Sequence, residues 1–440
     1  MDDRELAIKI FRAGIEAVKP DRLIKNCIRL ESPWLQIGGT KFNIAELKRI
    51  FVIGAGKASG LMAQATEQAL GNHVTCGVVA VKYGHGCACS KVEVLEAGHP
   101  YPDKAGAEAT RRIAQLCEGA GDGDLVVCLW SGGGSALLAD YPEDCTLEEW
   151  IAFSKALVNS GAPINEINCV RKHLSGVKGG QLARAAHPAR VVSLALSDVI
   201  GDPLDVIASG PTVADSSTFG QAAETLRKYD LERRAPKGVL KRIAAGIRGE
   251  IPETPKAGDP LLERTTNLVI GNNRMALEAG LEFARRHGVE GAVVTDRLEG
   301  DSAKAAEWVT GAAVQKAREA RGHGRFCLLF GGETTLKVTG TGLGGRNQHL
   351  ALEAARLLGG TKGITLLAGG TDGTDGPTDI AGAVADGSTW GKRPAFAEAC
   401  LRNFDSYQFF REAGGHVFTG PTMTNVMDMV VCVINAQGDK

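Results

Sequence analysis

The segment Gly369-Gly-Thr-Asp-Gly-Thr-Asp-Gly-Pro-Thr-Asp379 sets Asp372, Asp375 and Asp379 on a backbone nearly bare of side chains. Shortly before it, Gly340-Thr-Gly-Leu-Gly-Gly-Arg-Asn-Gln348 places one guanidinium, Arg346, among glycines. Carboxylates gather hard divalent cations, and a guanidinium grips phosphate or carboxylate in a planar fork. Glycine lets the main chain approach an anion and adopt positive φ. These residue types together predict metal-assisted chemistry on a phosphorylated ligand.

Five further segments carry candidate chemistry. Ser131-Gly-Gly-Gly-Ser135 (Ser131, Gly132, Gly133, Gly134, Ser135) reads as a nest of N–H donors flanked by hydroxyls, or else as a helix–sheet contact too tight for side chains. Gly54-Ala-Gly-Lys-Ala-Ser-Gly60 (Gly54, Gly56, Lys57) puts an ammonium at a helix start, where N–H groups and the dipole favour an anion. The alternative is a tight turn with an exposed lysine. Ser197-Asp-Val-Ile-Gly-Asp-Pro203 offers Asp198 and Asp202 as metal ligands or helix caps. Gly331-Gly-Glu-Thr334 offers Glu333 to Mg²⁺, to a substrate hydroxyl or to a cap. Arg346 lies in a first helical turn, where the dipole disfavours a cation, so an anionic partner is expected: a ligand or a nearby aspartate. Arg171, Lys172 and His173 form a basic lip for an acidic substrate or a solvated helix end, and His173 is a candidate general base by context alone.

The GAGKASG spacing is one residue longer than a dinucleotide fingerprint, and Lys57 is followed by Ala58, so it is not a Walker A loop. The next strand ends in Val81-Lys82-Tyr83, without the acid that ribose hydroxyls require, which disfavours NAD more than NADP.

The elements that must position these residues alternate. Short apolar strands at 49–53, 77–81, 92–95, 124–130 and 191–196 are interleaved with helical periodicity at 3–18, 61–70 and 104–117. Such runs predict a parallel sheet covered on both faces, with ligands beyond the strand carboxyl ends. Residues 246–260 lack periodicity and carry three prolines, and read as a linker or a long excursion. The pattern then restarts, with strands at 268–270, 291–295, 326–330, 364–368 and 429–434 and a long helix at 302–320. The expected division is residues 1–245 and 261–440.

Composition narrows the class. A length of 440 residues admits two or three domains, and 44% hydrophobic content supplies their cores. The 57 glycines follow no Gly-X-Y period, which excludes collagen. A net charge of −1, with no basic run, argues against a nucleic-acid partner. No apolar run is long enough for a membrane span, and the acidic start reads as neither signal peptide nor presequence. The 11 scattered cysteines contain no CxxC, so a reduced, cytoplasmic location is expected; His85-Gly-Cys-Ala-Cys89 is a partial metal motif or a surface loop.

Eight segments in order, GAGKAS, LWSGGGSALL, NCVRKHLSGVKGG, LSDVIGDPLDVIASGPT, GGETTLKV, GLGGRNQHLALEAA, GGTDGTDGPTDIAGA and GPTMTNVMD, resemble the glycerate 2-kinase family over nearly the whole chain. That family joins a glycerate-kinase domain to a C-terminal MOFRL domain. The resemblance implies two α/β domains with mostly parallel, Rossmann-like sheets and an active-site cleft between them. It implies ATP-dependent phosphorylation of D-glycerate at its 2-hydroxyl, with Mg²⁺; the alternative is a hydroxypyruvate reductase using NAD(P)H. The family's active-site lysine and arginine match Lys57 and Arg346. The expected site adds Asp198 as a catalytic residue. Substrate and phosphate contacts come from Gly54, Gly56, the Ser131–Ser135 nest, Arg171, Lys178, Gly345 and Asn347. Metal contacts come from Asp198, Glu333, Asp372 and Asp375. A homodimer is compatible with this reading. Met423 stands where the family's last loop has a glycine.

Overall fold

The computed structural model describes residues 1–320 and 324–436; the last four residues of the expected C-terminal domain lie outside them. The chain forms two compact units, one of Pro20–Ser197 with Asp202–Ile270, the other of Met1–Lys19, Asp198–Gly201 and Gly271–Lys440.

In the first unit six strands run in the order Val92–Ala97, Cys76–Lys82, Ile50–Ala55, Leu125–Trp130, Arg190–Leu196, Thr265–Gly271, in a parallel sheet. Numbered along the chain, this is the doubly wound order 3-2-1-4-5-6, in which strand succession reverses between the first and fourth strands. Ile50–Ala55 and Leu125–Trp130 are those two, paired in parallel with Ile53 opposite Cys128. Both are buried along their whole length, which is why they read as unbroken apolar runs. GAGK and SGGGS therefore leave neighbouring strand ends at the reversal. A small antiparallel sheet of Ile28–Glu31, Trp34–Ile37 and Thr40–Asn43 was not anticipated from sequence.

Of the two readings of residues 246–260, the structure has the long excursion and not the linker. Glu253 and Thr254 are tied into the first unit through Arg184, His173 and Asp215, and the units change over at Ile270 and Gly271.

The second sheet corrects the expectation of two mostly parallel sheets. Its order is Glu290–Asp301, Arg325–Thr335, Asp428–Asn435, Ile364–Gly370, Gly382–Asp386, His416–Val417, and only the first pair is parallel. Asp428–Asn435 inserts between two strands earlier in sequence and antiparallel to both. Helices Ser302–Glu319 and Arg346–Leu358 contribute Ala306, Val309, Leu350 and Ala354 to one core. Helix Asp3–Ala17 belongs to this unit, not to the N-terminal one: it packs on helix Asn273–Arg286 and on the strands Asp428–Asn435 and Ile364–Gly370, burying Leu6, Ile10, Phe11 and Ile15.

Candidate functional site

In the first unit, the glycines of GAGK answer to packing. A Cβ on Gly54 would meet Leu129 O at 2.4 Å, and one on Gly56 would meet Ser131 Oγ at 2.0 Å. The N–H groups of the turn are also taken. Lys57 N donates to Gly132 O at 2.9 Å, Ala58 N to Ser131 Oγ at 3.0 Å, and Ser59 N to Gly56 O at 3.2 Å. Ser131 is buried and its hydroxyl also meets Ser59 Oγ at 3.1 Å. Gly54, Gly56 and Ser131 thus lock two turns together and do not present donors to a ligand, which corrects their expected role.

The nest itself is different. Gly133 has φ of 86° and Gly134 N turns back to Ser131 O. Among the described residues, no protein acceptor meets the N–H groups of Gly132, Gly133 or Ser135. The Lys57 side chain runs past them: a Cβ on Gly133 would lie 3.6 Å from Lys57 Cγ and 2.9 Å from His99 Nε2. No described residue bonds the Lys57 ammonium. Burial, with the charges of Lys57, Lys82 and His85, lowers the His99 pKa to about 4, so its imidazole is neutral at physiological pH. His99 was missed from sequence because nothing in its local pattern marks it. Ser135 Oγ meets Ser209 Oγ at 2.7 Å. Ser209 and Ala208 carry φ of 62° and 51°, a strained left-handed pair held against the nest.

Helix Ile164–Leu174 distributes its basic residues inward. His173 is buried, its Nδ1 placed 2.8 Å from Cys169 O and its Nε2 3.1 Å from Glu253, so it serves the interior and is no general base. Lys172 is buried between Asp205 and Asp215. Lys178 donates to Leu138 O and to Asp140, at 3.0 Å from the latter; its charge is answered within the protein. Arg171 has no hydrogen-bond or ion-pair partner among the described residues, and burial lowers its pKa.

In the second unit, Arg346 opens helix Arg346–Leu358 and is clamped by two acids. Asp428 accepts from Nε at 2.6 Å and Nη2 at 3.0 Å, and Glu333 accepts from Nη1 at 2.6 Å. Burial opposes the guanidinium's charge, but Asp428, Glu333 and Asp375 outweigh it and raise the Arg346 pKa. Burial pushes Asp428 up to about 6, against the two bonds from Arg346. Asp428 was not among the expected site residues; its one signal is a lone acid opening an apolar strand. Asp375 is buried and caps the same helix, accepting from Asn347 N at 3.0 Å, Gln348 N at 2.8 Å and both side-chain amides. That satisfies the orphan donors of the first turn and offsets its dipole, so the cation at Arg346 is tolerated. A Cβ on Gly345 would meet Asp375 Cγ at 2.3 Å. Gly345, Asn347 and Asp375 therefore build the helix start, a correction to their expected ligand roles.

The four expected metal carboxylates do not form a cage. Asp375 is enclosed by amides, Glu333 is on Arg346, Asp372 accepts from Thr374 N at 3.0 Å, and Asp198 accepts from Asn425 Nδ2 at 3.2 Å. Among the described residues no three His, Cys, Asp or Glu side chains group to hold a metal ion, His85-Gly-Cys87-Ala-Cys89 included.

Residues 6–244 match the family described as a domain of unknown function (DUF4147), and residues 326–428 match the MOFRL family. A Thermotoga maritima protein named D-glycerate 2-kinase is 40% identical, over 98% of each chain. An Agrobacterium vitis relative, 41% identical over 98% of this chain and 94% of its own length, carries a provisional hydroxypyruvate reductase name. The crystal structure of glycerate kinase from Thermotoga maritima superposes with a TM-score of 0.87 at 40% identity, covering 98% of this chain and 99% of that one. With both domains matched in order and similarity along nearly its full length, the chain belongs to the glycerate 2-kinase family.

Proposed function

We propose that this chain is an ATP-dependent glycerate 2-kinase of the cytoplasm, phosphorylating D-glycerate at its 2-hydroxyl. The observation that carries the reading is the Lys57 side chain passing Gly133 beside the open N–H groups of Gly132, Gly133 and Ser135, at the strand reversal of a doubly wound sheet. Fixed donors and a point charge suit a phosphoryl group, whose transfer depends on positioning and charge neutralisation more than on covalent chemistry. The glycerate oxygen attacks the γ-phosphorus, the bond to the β-phosphate oxygen breaks, and the hydroxyl proton leaves to a base. Lys57 and Arg346 are each required. No step is assigned to a protein-held metal; Mg²⁺ is expected as the counter-ion of the nucleotide phosphates. Among the described residues no helix is long and apolar enough to cross a membrane.

The reductase reading fares worse on the same geometry. A dinucleotide would place its pyrophosphate on the first βα turn, where the N–H groups of Lys57, Ala58 and Ser59 already have protein acceptors. One assay separates the two: enzyme with D-glycerate, ATP and Mg²⁺ should release ADP and yield a 2-phosphate by phosphorus NMR. Oxidation of NADPH by hydroxypyruvate without ADP release would reverse the ranking.

A further inference from the structure

Beside the nest, within the same unit, lies a recess walled by Pro100, Tyr101, Trp150 and Val158, with Arg171, Ser135 and Ser154 at its polar side. It adjoins the Lys57 turn by two routes: Ser135 belongs to the nest, and Pro100 and Tyr101 follow His99, which stands against Gly133. Its room is about 30 Å³, space for a carboxylate or a couple of waters and far short of a nucleoside.

The charges at the recess favour one kind of occupant. Two cations reach the recess, Lys178 and Arg171. Lys178 is cancelled by Asp140. Arg171 has no hydrogen-bond or ion-pair partner among the described residues, and its half-buried guanidinium leaves its N–H donors open to a ligand that supplies acceptors. One uncompensated positive charge in a planar fork matches one monoanionic carboxylate, not a polyphosphate. The apolar walls suit the short carbon skeleton behind it.

We propose that Arg171 receives the carboxylate of the acceptor and so selects short 2-hydroxy acids, presenting the adjacent hydroxyl towards the nest; this rests on the kinase reading above. ADP release is measured for the wild type, Arg171→Met and Arg171→Lys, with D-glycerate and with its neutral amide, D-glyceramide. Arg171→Met should raise KM for D-glycerate by roughly 10- to 100-fold, as for loss of charge-assisted hydrogen bonds, and leave KM for ATP within about twofold. Its preference for the acid over the amide should collapse. Arg171→Lys should fall between, since a point charge does not replace a fork, and it decides the matter should the methionine variant fail to fold. A rise in KM for ATP with D-glycerate unchanged would overturn the assignment and leave the kinase reading standing. A wild type that forms no ADP from D-glycerate defeats both.

Discussion

Lys57 and Arg346 enter as a pair by resemblance, and their surroundings make them unlike. Lys57 is half-buried, with no described partner for its ammonium, so Lys57→Ala should cut kcat by ~10³-fold with the melting temperature unmoved. Arg346 is one of three partners in a clamp whose Asp428 side chain is only 7% exposed. Arg346→Ala leaves that carboxylate buried and unpaired. It should abolish turnover and also destabilise the second unit by on the order of 2–3 kcal/mol, checked by urea titration. Met423, where the family has glycine, sits at φ of 61°. A left-handed conformation costs a side-chain-bearing residue roughly 1–2 kcal/mol, partly offset by the greater unfolded freedom of glycine. Met423→Gly should therefore raise the melting temperature by a few degrees at most, and a lower one would refute the strain.

At the scale of elements, the strand Asp428–Asn435 does most to shape the second unit's site. Its first residue pairs in register with Gly332 on one side and Gly370 on the other, which brings Asp428 next to Glu333 and below Arg346. Because the folded pKa of Asp428, about 6, exceeds its ordinary 3.8, the folded protein binds the extra proton between these values. Its contribution to stability is full below pH ~4 and is lost as pH rises through ~6. Activity should move oppositely, with an acid limb near pH 6 as protonation loosens the clamp on Arg346. Asp428→Asn should lower kcat at every pH and flatten that limb; an unchanged profile would exclude Asp428 from the limb. This strand also shows what sequence could carry. Met429 to Ile434 was legible as a buried strand because every residue is apolar. Its antiparallel direction was not, since a run covered on both faces reads the same either way. The glycine loops were located correctly along the chain. Whether their N–H groups faced a ligand or a neighbouring turn depended on Ser131 and Asp375, each supplied by a distant segment. Arg171 was legible as a basic position on a helix, but its lack of a partner is a tertiary fact.

At the scale of the molecule, the chain changes units four times, at Lys19, Ser197, Gly201 and Ile270. The amphipathic period of helix Asp3–Ala17 announced that it had a partner and could not say which. Phe11 is fully buried, close enough that a Cβ on Gly369 would meet its ring at 2.8 Å. Phe11→Ala should destabilise the second unit by about 3–5 kcal/mol, read by hydrogen exchange as lost protection in residues 364–370 and 428–435 with the first unit's sheet unaffected. Equal loss in both units would contradict the division. The same helix sets a schedule for the nascent chain. Its apolar face is made some 400 residues before the strand at 428–435 that completes its cover. At elongation rates of about 5–20 residues per second, that is a wait of roughly 20–80 s. Helix Asn273–Arg286 and strand Ile364–Gly370 can cover part of that face sooner, so its burial is completed in stages and ends only with the last strand.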